Sequence, residues 1–378
     1  MSDVRIGLIG SGFMGRTHSI AFREVAGVFD LPVNPVLEML ADIDDKTAKR
    51  AAHTLGYRRA SGDWKALVAD PEIDLVDITA PTAQHREMAI AALAAGKHVY
   101  CEKPLALTAS EARDLATRAT KADVVNMVGF NYVKNPIQAL AREIIGSGEI
   151  GDIIGFRGIH AEDYMSSPDA PLTWRGSGPL GSGVIADLGS HIVSLARFLC
   201  GPVAAVCGML ETTVKQRPAA PGSRQRKRVR SDDQARFLLR FARGFSGTIE
   251  ASWVAAGRKM QLAYEIVGSK GSLAFTQERM NELQLYTSGQ RPGREGYKTV
   301  LADANHPPYG AFCPAPGHQL GFNDMKVIEV RDLLLGVAGK AKAWPDFREA
   351  WEIQRTVDAV IRSHAERRWV RVEEVDKR

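Results

Sequence analysis

The sequence predicts two domains: a doubly wound α/β domain over residues 1–130 and, over residues 131–378, an α+β domain with a large, mostly antiparallel open sheet. Three observations support this fold class. A length of 378 residues is enough for two domains that each bury a core. Short apolar runs alternate with amphipathic stretches in the first part of the chain, and strand-like runs with unlike faces follow one another in the second.

The first domain follows from a regular alternation of strand and helix patterns. Residues 75–78 are almost continuously apolar, which is typical of a parallel strand that is covered on both faces. The amphipathic stretches between the apolar runs predict helices that cover the sheet. The predicted strands lie at 4–10, 35–43, 74–79, 98–104 and 124–130, and the predicted helices lie at 18–27, 46–56, 84–96 and 110–120.

The second domain consists mainly of β-type segments. Residues 245–254 alternate, with hydroxyls and a carboxylate on one face and with Ile249 and Trp253 on the other. This alternation predicts a mostly antiparallel sheet with unlike faces. We expect two later helices to cover one face. The other predicted strands lie at 151–161, 204–214, 234–241, 262–268 and 271–276, and the predicted helices lie near 134–147, 321–336 and 346–364.

Composition and charge exclude several classes of protein. The net charge of +5 is small for this length, and the basic run at 224–230 has no interleaved aromatic residues, so we predict a solvated loop and no nucleic-acid partner. The four cysteines form no CxxC pair, so no metal site is predicted. No long apolar stretch is present, and we therefore expect a cytoplasmic protein without a membrane partner.

A glycine motif, GSGFMG, follows the first predicted strand directly. Gly10 permits a tight turn, Gly12 lets a pyrophosphate approach the backbone, and Gly15 lets the next helix pack on the strand. The free amides at the start of that helix favour an anion. An ordinary glycine turn is the alternative, but the position between strand and helix favours a dinucleotide site. Its predicted residues are Gly10, Gly12, Phe13, Met14 and Gly15.

An acidic residue supports the same site. Asp42 ends the second predicted strand, somewhat later than the usual spacing of about 20 residues after the glycine motif. A carboxylate there hydrogen-bonds the adenosine ribose and repels a 2′-phosphate, so the sequence favours NAD over NADP. Asp44 and Asp45 compete for this role, although both also suit the start of the next helix.

The fifth predicted strand ends with an acid, a base and a proline. In a doubly wound sheet, ligands lie beyond the carboxyl ends of the strands, so Lys103 is expected in the crevice that holds the nicotinamide. Glu102 and Pro104 flank it and are expected to fix the backbone. A lone lysine is otherwise an ordinary solvated side chain.

Residues 181–199 begin with glycines and continue as an apolar helix. Asp187 and His191 are four residues apart, which places them on one face of a helix. An imidazole that titrates near neutrality suits proton transfer from a hydroxyl. The pair is equally consistent with a capped, structural histidine. The opposite face carries an apolar stripe of Ile192, Leu195, Ala196 and Leu199.

Four motifs, in this order and spacing, resemble the glucose-fructose oxidoreductase / inositol dehydrogenase / MocA family. They are GSGFMG, Thr79-Ala80-Pro81 with His85, AGKHVYCEKP and DLGSHIVSLARFL. The resemblance covers essentially the whole chain and implies a Rossmann domain followed by an α+β domain whose open sheet builds oligomers. It also implies NAD- or NADP-dependent oxidation of a secondary hydroxyl of a sugar or cyclitol, inositol-type or aldose-type, or the reverse reduction. A homodimer or homotetramer is therefore expected.

The resemblance also implies roles for individual residues. It implies that Lys103 contacts the reacting oxygen and that His191 is the acid/base. It also implies that Asp187 contacts the substrate beside His191. Which of Lys103 and His191 takes the proton first stays open. The further residues implied to bind the cofactor are Thr79, Pro81, His85, Glu102 and Lys103.

Further candidates for substrate binding lie in the second domain. His160 matches a substrate-binding histidine of inositol dehydrogenases, and Asp163 follows it in a stretch that departs from the family pattern. Trp174 and Arg175 offer a stacking face and a hydrogen-bond donor. The long loop at 306–324 contains His318, and we expect it to close over a substrate, from a neighbouring subunit in an oligomer.

Two other functions stay open. The same fold serves non-catalytic NAD-binding sensors or regulatory proteins, and it serves glycosidases that oxidise and re-reduce their sugar so that NAD is recycled. The presence of both Lys103 and His191 argues against a sensor. Net formation of reduced nicotinamide with a free polyol distinguishes a dehydrogenase from both alternatives.

Overall fold

The computed structural model describes residues 2–179 and 181–376, without the side chains of Trp174 and Arg175, and it divides into two compact units. The first unit comprises Met1–Lys134, Pro307–Pro314 and Leu320–Glu352. The second unit comprises Asn135–His306, Ala315–Gln319 and Ile353–Arg378. The boundary predicted after residue 130 lies close to Lys134, where the chain first passes from one unit to the other. Two later segments of the chain return to the first unit.

The first unit contains a six-stranded parallel sheet. The strand order is β3-β2-β1-β4-β5-β6, so the order reverses between β1 and β4, where ligands of doubly wound sheets bind. A 3₁₀ turn, Asn131–Lys134, ends this part of the chain. The elements are β1 (Ser2–Ile9), α1 (Phe13–Val28), β2 (Val33–Ala41), α2 (Asp45–Leu55), β3 (Arg59–Ser61), α3 (Trp64–Ala69), β4 (Leu75–Ile78), α4 (Thr82–Ala94), β5 (His98–Cys101), α5 (Ala109–Ala122) and β6 (Asn126–Val128).

The rest of the chain builds a nine-stranded sheet, a small hairpin and six helices within the described residues. The elements are α6 (Pro136–Ser147), β7 (Ile153–Ala161), α7 (Trp174–Ser177), α8 (Ser190–Cys200), β8 (Val203–Glu211), β9 (Gln216–Pro218), β10 (Arg226–Arg228), β11 (Gln234–Phe241), β12 (Ser246–Ser252), β13 (Gln261–Gly268), β14 (Gly271–Thr276), β15 (Glu282–Thr287), β16 (Lys298–Leu301), α9 (Tyr309–Phe312), α10 (Phe322–Val337), α11 (Phe347–Glu366) and β17 (Val370–Arg371). A π-helical turn, Ile185–Gly189, leads into α8, and 3₁₀ turns lie at Gln277–Arg279 and Val372–Asp376.

The large sheet has one covered and one open face. Its order is β16-β15-β14-β13-β7-β12-β11-β8-β17, and only the β7–β12 pairing is parallel, as expected of a mostly antiparallel sheet. Along β12, Ile249 is buried while Ser246 and Thr248 are exposed, which confirms the predicted alternation. Ile192 of α8 lies so close to β7 that a Cβ at Gly158 would be 2.8 Å from it. Helix α8 therefore packs tightly on the buried face.

The basic run predicted to be a solvated loop is partly structured. β9 and β10 pair as an antiparallel hairpin, and residues 226–228 are exposed. Arg217 of β9 is fully buried, however, and its guanidinium donates to the carbonyl oxygens of Met165 and Ser167. The hairpin is thus attached to the segment that follows β7.

The expectation that the helix near 321–336 covers the large sheet is wrong. α10 instead belongs to the first unit and packs against α1. The reason is its apolar stripe, which is buried in the same core as the strands and helices of the parallel sheet. The stripe consists of Val327, Val330, Leu333 and Leu334. Within the described residues, no helix of either unit is both long and apolar enough to cross a membrane.

A lysine of α10 lies in the interior of the first unit. Lys326 is fully buried, and its ammonium donates to Glu102 at 2.7 Å and contacts Glu329 at 2.7 Å and the hydroxyl of Tyr100 at 3.1 Å. Burial alone would lower the pKa of Lys326, but the two carboxylates raise it above its usual value. The buried lysine is therefore held charged by its partners.

Replacing this lysine should destabilise the first unit. Lys326→Met removes the charge that offsets two buried carboxylates, so we expect the free energy of unfolding to fall by about 3–5 kcal/mol. Lys342→Met is the control, because Lys342 is 78% exposed and pairs only at the surface with Asp346, which should cost about 0–1 kcal/mol. Denaturant melts of the three proteins make the comparison, and equal stability of both variants would contradict the role of Lys326.

Candidate active site

The loop between β1 and α1 has the geometry of a phosphate-binding turn. Gly10 has a φ of +98°, and a Cβ at Gly15 would lie 2.1 Å from the carbonyl oxygen of Gly10, so this turn requires glycine at both positions. A Cβ at Gly12 would meet no atom within 4 Å. The backbone at Gly12 is thus open to a ligand, and the first amides of α1, which begins at Phe13, follow it. These features fit the pyrophosphate of a dinucleotide.

Asp42 lies beside this turn, at the end of β2. Its carboxylate accepts hydrogen bonds from the backbone N–H of Ser11 at 2.9 Å and from that of Ile43 at 2.7 Å. The two competing carboxylates have other partners: Asp44 caps α2 by accepting from Thr47, and Asp45 accepts from Gly62. The structure therefore places Asp42 where a ribose contact was predicted, although the contact itself stays a prediction.

The residues after β4 support the turn from a second side. The hydroxyl of Thr79 donates to the carbonyl of Gly10 at 2.6 Å. Pro81 is exposed at the start of α4, while His85 is buried, with Nε2 2.7 Å from the carbonyl oxygen of Ala80 and Nδ1 2.9 Å from that of Pro104. Burial lowers the pKa of His85. His85 thus joins the loops that follow β4 and β5, and its part in cofactor binding stays a prediction.

Glu102, which directly follows β5, points into the interior of the first unit. Glu102 is buried, its Oε1 accepts from Lys326 and lies 3.0 Å from Nε2 of His18, and its Oε2 accepts the backbone N–H of Lys103 at 3.1 Å. Burial would raise the pKa of Glu102, but Lys326 and His18 hold it well below its usual value. Burial also opposes the charged form of His18, yet the carboxylate of Asp77 raises its pKa.

Lys103 follows this charged cluster directly and is only half-buried. Because β5 is parallel to its neighbours β4 and β6, its carboxyl end lies at the same edge of the sheet as the ends of β1 and β4. Lys103 is therefore at the edge that the glycine turn occupies, as predicted. Sequence reasoning did not identify His18 or Lys326, because their roles depend on burial and on partners far away in the chain.

In the second unit, Asp187 and His191 lie on consecutive helical turns. Asp187 is in the π-helical turn and His191 is the second residue of α8, where it is buried. π-helical turns are rare and frequent at functional sites. The predicted apolar stripe of α8 (Ile192, Leu195, Ala196 and Leu199) is buried throughout. The helix is thus confirmed, with a wider turn at Asp187 than the regular spacing predicts.

His160 lies next to His191. The ring centroids are 5.7 Å apart in an edge-to-face arrangement. Nδ1 of His160 donates to the carbonyl of Leu188 at 2.9 Å, and its Nε2 lies 3.1 Å from the carboxylate of Glu162. The ring of His160 therefore joins strand β7 to the π-helical turn. Glu162 lies beside this ring and was not among the residues predicted from the sequence.

A buried aspartate holds the start of this helical segment. Asp232 accepts the backbone N–H groups of Gly181 at 2.7 Å, Gly183 at 3.1 Å and Ile185 at 2.8 Å. Burial raises the pKa of Asp232 despite these bonds. A Cβ at Gly183 would lie 2.2 Å from the carbonyl oxygen of Asp232, so the glycine is needed for this close approach. Asp232 was also missed, because it lies far from the helix in sequence.

The remaining predicted substrate residues are placed as follows. Asp163 accepts from Lys259 at 2.6 Å, which lowers its pKa, and from the backbone of Gly257. His318 is exposed, and its ring lies 3.3 Å from the carbonyl of Pro316. The side chains of Trp174 and Arg175 lie outside the described residues. Among the described residues, no cluster of His, Cys, Asp and Glu is placed to hold a metal ion.

The doubly wound parallel sheet and the glycine turn together define a Rossmann-type dinucleotide-binding domain. Residues 4–130 match the family model described as "Oxidoreductase family, NAD-binding Rossmann fold", and residues 139–274 match the "GFO/IDH/MocA C-terminal domain". The chain belongs to the Gfo/Idh/MocA oxidoreductase family. The predicted family, fold class and cofactor, NAD, are thereby confirmed.

Several known proteins are similar over their whole length. Levoglucosan dehydrogenase of Pseudarthrobacter phenanthrenivorans is 35% identical, over 99% of this chain and 100% of its own. A solved structure of levoglucosan dehydrogenase with NADH and L-sorbose has a TM-score of 0.94 and 36% identity, over 98% of this chain and 99% of that one. An NAD binding oxidoreductase from Klebsiella pneumoniae has a TM-score of 0.93 and 42% identity, with the same coverage.

The position of Asp42 leads to a prediction about cofactor choice. Asp42→Ala should lower kcat/KM with NAD and narrow its advantage over NADP by about 1–3 kcal/mol, because a hydrogen bond to a charged group and a repulsion of the 2′-phosphate are both lost. Asp44→Ala is the matched control, since it removes only a helix cap. Steady-state kinetics with both cofactors make the test. Equal use of NAD and NADP by the unmodified protein would contradict the assignment.

Proposed function

We propose that the protein is an NAD-dependent dehydrogenase that oxidises a secondary hydroxyl of a neutral sugar or cyclitol. The observation that carries the proposal is the presence, in one chain, of Lys103 at the carboxyl edge of a dinucleotide-binding sheet and of Asp187 and His191 on a helix with a π-helical turn. Similarity to levoglucosan dehydrogenase along the entire chain supports it.

The chemistry divides between these residues. NAD⁺, which the glycine turn and Asp42 would hold, would supply the acceptor for the hydride of the carbinol carbon. His191 removes the proton of the hydroxyl, since an imidazole near neutrality can accept it and return it in the reverse direction. The cation of Lys103 stabilises the negative charge that develops on the oxygen, and the carboxylate of Asp187 orients the hydroxyl. The carbinol becomes a ketone, and one proton is released.

Substrate choice is tested with a panel of neutral sugars, cyclitols and glycosides. Levoglucosan is the first member, because levoglucosan dehydrogenase is similar to this chain over almost its entire length. Inositols and aldoses follow, because the family resemblance implies an inositol-type or aldose-type substrate. We expect net absorbance of reduced nicotinamide with at least one member. Tight NAD binding without turnover would instead favour a sensor, and glycoside cleavage without net reduction would favour an NAD-recycling glycosidase.

The catalytic assignment predicts separate effects on turnover and on cofactor affinity. Lys103→Ala and His191→Ala should each lower kcat by about 10²–10⁴-fold and leave the Kd for NAD nearly unchanged, because both groups act on the reacting hydroxyl. Lys121→Ala and His53→Ala are controls, since both side chains are exposed on helices of the first unit. Near-normal kcat would remove a residue from the assignment, and lost NAD binding in a folded variant would indicate a cofactor role.

We also propose that the open face of the large sheet pairs with a second copy of the chain. Four large apolar side chains on the strands of this sheet are exposed by about half: Ile154 (59%), Met209 (46%), Leu238 (48%) and Leu301 (59%). Large exposed apolar patches are unusual on a monomer, and pairing of this face about a two-fold axis would bury the same side chains on both copies. In such an oligomer the loop with His318 reaches a neighbouring subunit, as the sequence analysis expects.

This pairing is tested by mass in solution. The unmodified protein should sediment as a dimer or tetramer of 41.2 kDa chains. Leu238→Arg introduces a charge at the paired face. It should shift the mass in solution towards that of a monomer, because an unpaired buried charge is costly. Leu107→Arg, at an exposed leucine of the first unit, should leave the mass unchanged. A stable and active single chain of unmodified protein would contradict the proposal.

A further inference from the structure

Tyr164 is an exposed aromatic residue that is nevertheless held in place. The residue is 44% exposed and lies in the segment that follows β7. The next residue, Met165, donates its backbone N–H to the carbonyl of Trp253 at 3.0 Å, which fixes the main chain. The ring contacts the indole of Trp253 edge-to-face, with centroids 6.0 Å apart. An exposed side chain normally keeps its rotamer freedom, so these contacts restrict it beforehand.

The indole beneath Tyr164 is itself rigid. Trp253 is fully buried, and its Nε1 donates to the carboxylate of Asp233 at 2.7 Å. Asp233 is also fully buried and accepts the backbone N–H of Val214 at 2.7 Å. The ring of Tyr164 therefore rests on a support that cannot shift without breaking buried hydrogen bonds.

The hydroxyl of Tyr164 contacts the candidate active site directly. It donates to Oδ2 of Asp187 at 3.0 Å. Hydrogen bonds to a carboxylate are stronger than neutral ones and fix its orientation. One side chain thus combines an accessible aromatic surface with a bond to the carboxylate that is proposed to orient the substrate.

We propose that Tyr164 is a specificity-determining and positioning residue of this site. Its ring packs against the carbon face of a neutral, ring-shaped sugar, and its hydroxyl fixes the carboxylate of Asp187 for the substrate hydroxyl. Aromatic rings offer large apolar contact area with little entropy to lose, which suits the C–H face of a sugar. The nearby carboxylates of Asp187 and Glu162 disfavour sugar acids and sugar phosphates. This inference rests on the proposed function.

Two variants separate the two roles. Tyr164→Phe keeps the ring and removes the bond to Asp187, so kcat should fall by roughly 10-fold or more while KM for the sugar changes by less than about threefold. Tyr164→Ala also removes the ring, so KM should rise in addition by roughly 10-fold. Because Tyr164 is exposed, both variants should fold and bind NAD as the unmodified protein does.

A second exposed tyrosine of the same unit is the matched control. Tyr297 is 47% exposed, and its hydroxyl is hydrogen-bonded to Ser272 at 2.7 Å. Tyr297→Phe should leave kcat and KM within twofold of the unmodified values. Kinetics are measured with the neutral sugar on which the unmodified protein is most active. They are also measured with the corresponding sugar acid, for which kcat/KM should be lower.

The outcomes are distinct. An unchanged kcat in Tyr164→Phe overturns the positioning role, and an unchanged KM in Tyr164→Ala overturns the role of the ring. If the unmodified protein oxidises no neutral sugar or cyclitol of the panel, the proposed function fails and this inference fails with it. An active unmodified protein with two unaffected variants overturns this inference alone.

Discussion

The first unit depends on one buried carboxylate, that of Glu102. It is hydrogen-bonded by His18, which belongs to the helix that opens at the glycine turn, by Lys326 of α10, and by the backbone N–H of Lys103. Removing one charge from such a cluster leaves an uncompensated charge buried in a medium of low dielectric. The cluster therefore has few alternative arrangements. The helix that follows the glycine turn and the backbone of Lys103, the proposed catalytic lysine, are thus both fixed by the same buried carboxylate.

The second unit uses carboxylates in a comparable way, but on backbone groups. Asp232 accepts hydrogen bonds from three backbone N–H groups at and before the π-helical turn. Asp233 accepts a hydrogen bond from the indole of Trp253, which the ring of Tyr164 contacts. Asp187 is consequently constrained from two directions, through its main chain and through its own carboxylate. A catalytic group must be held within fractions of an ångström of the productive geometry, and fixed supports of this kind provide that precision.

Local patterns predicted much of this architecture. The parallel strands, the glycine turn, Asp42, the strand end with Lys103 and the apolar helix with His191 all depend on neighbours in sequence, so periodicity and motif spacing identify them. α10 was assigned to the wrong unit because an apolar stripe does not indicate which core will bury it. His18, Lys326, Asp232 and Tyr164 were missed because each acts through partners that only the fold brings close.

The central claim is that a hydride passes from a carbinol carbon of a neutral sugar to NAD. The most direct measurement uses the active sugar of the panel with deuterium at its ring carbons, followed by mass spectrometry of the nicotinamide product. We expect one deuterium in each reduced cofactor and one ketone for each cofactor reduced. Reduced cofactor without deuterium, or a deuterated sugar that is consumed while no reduced cofactor accumulates, would contradict it.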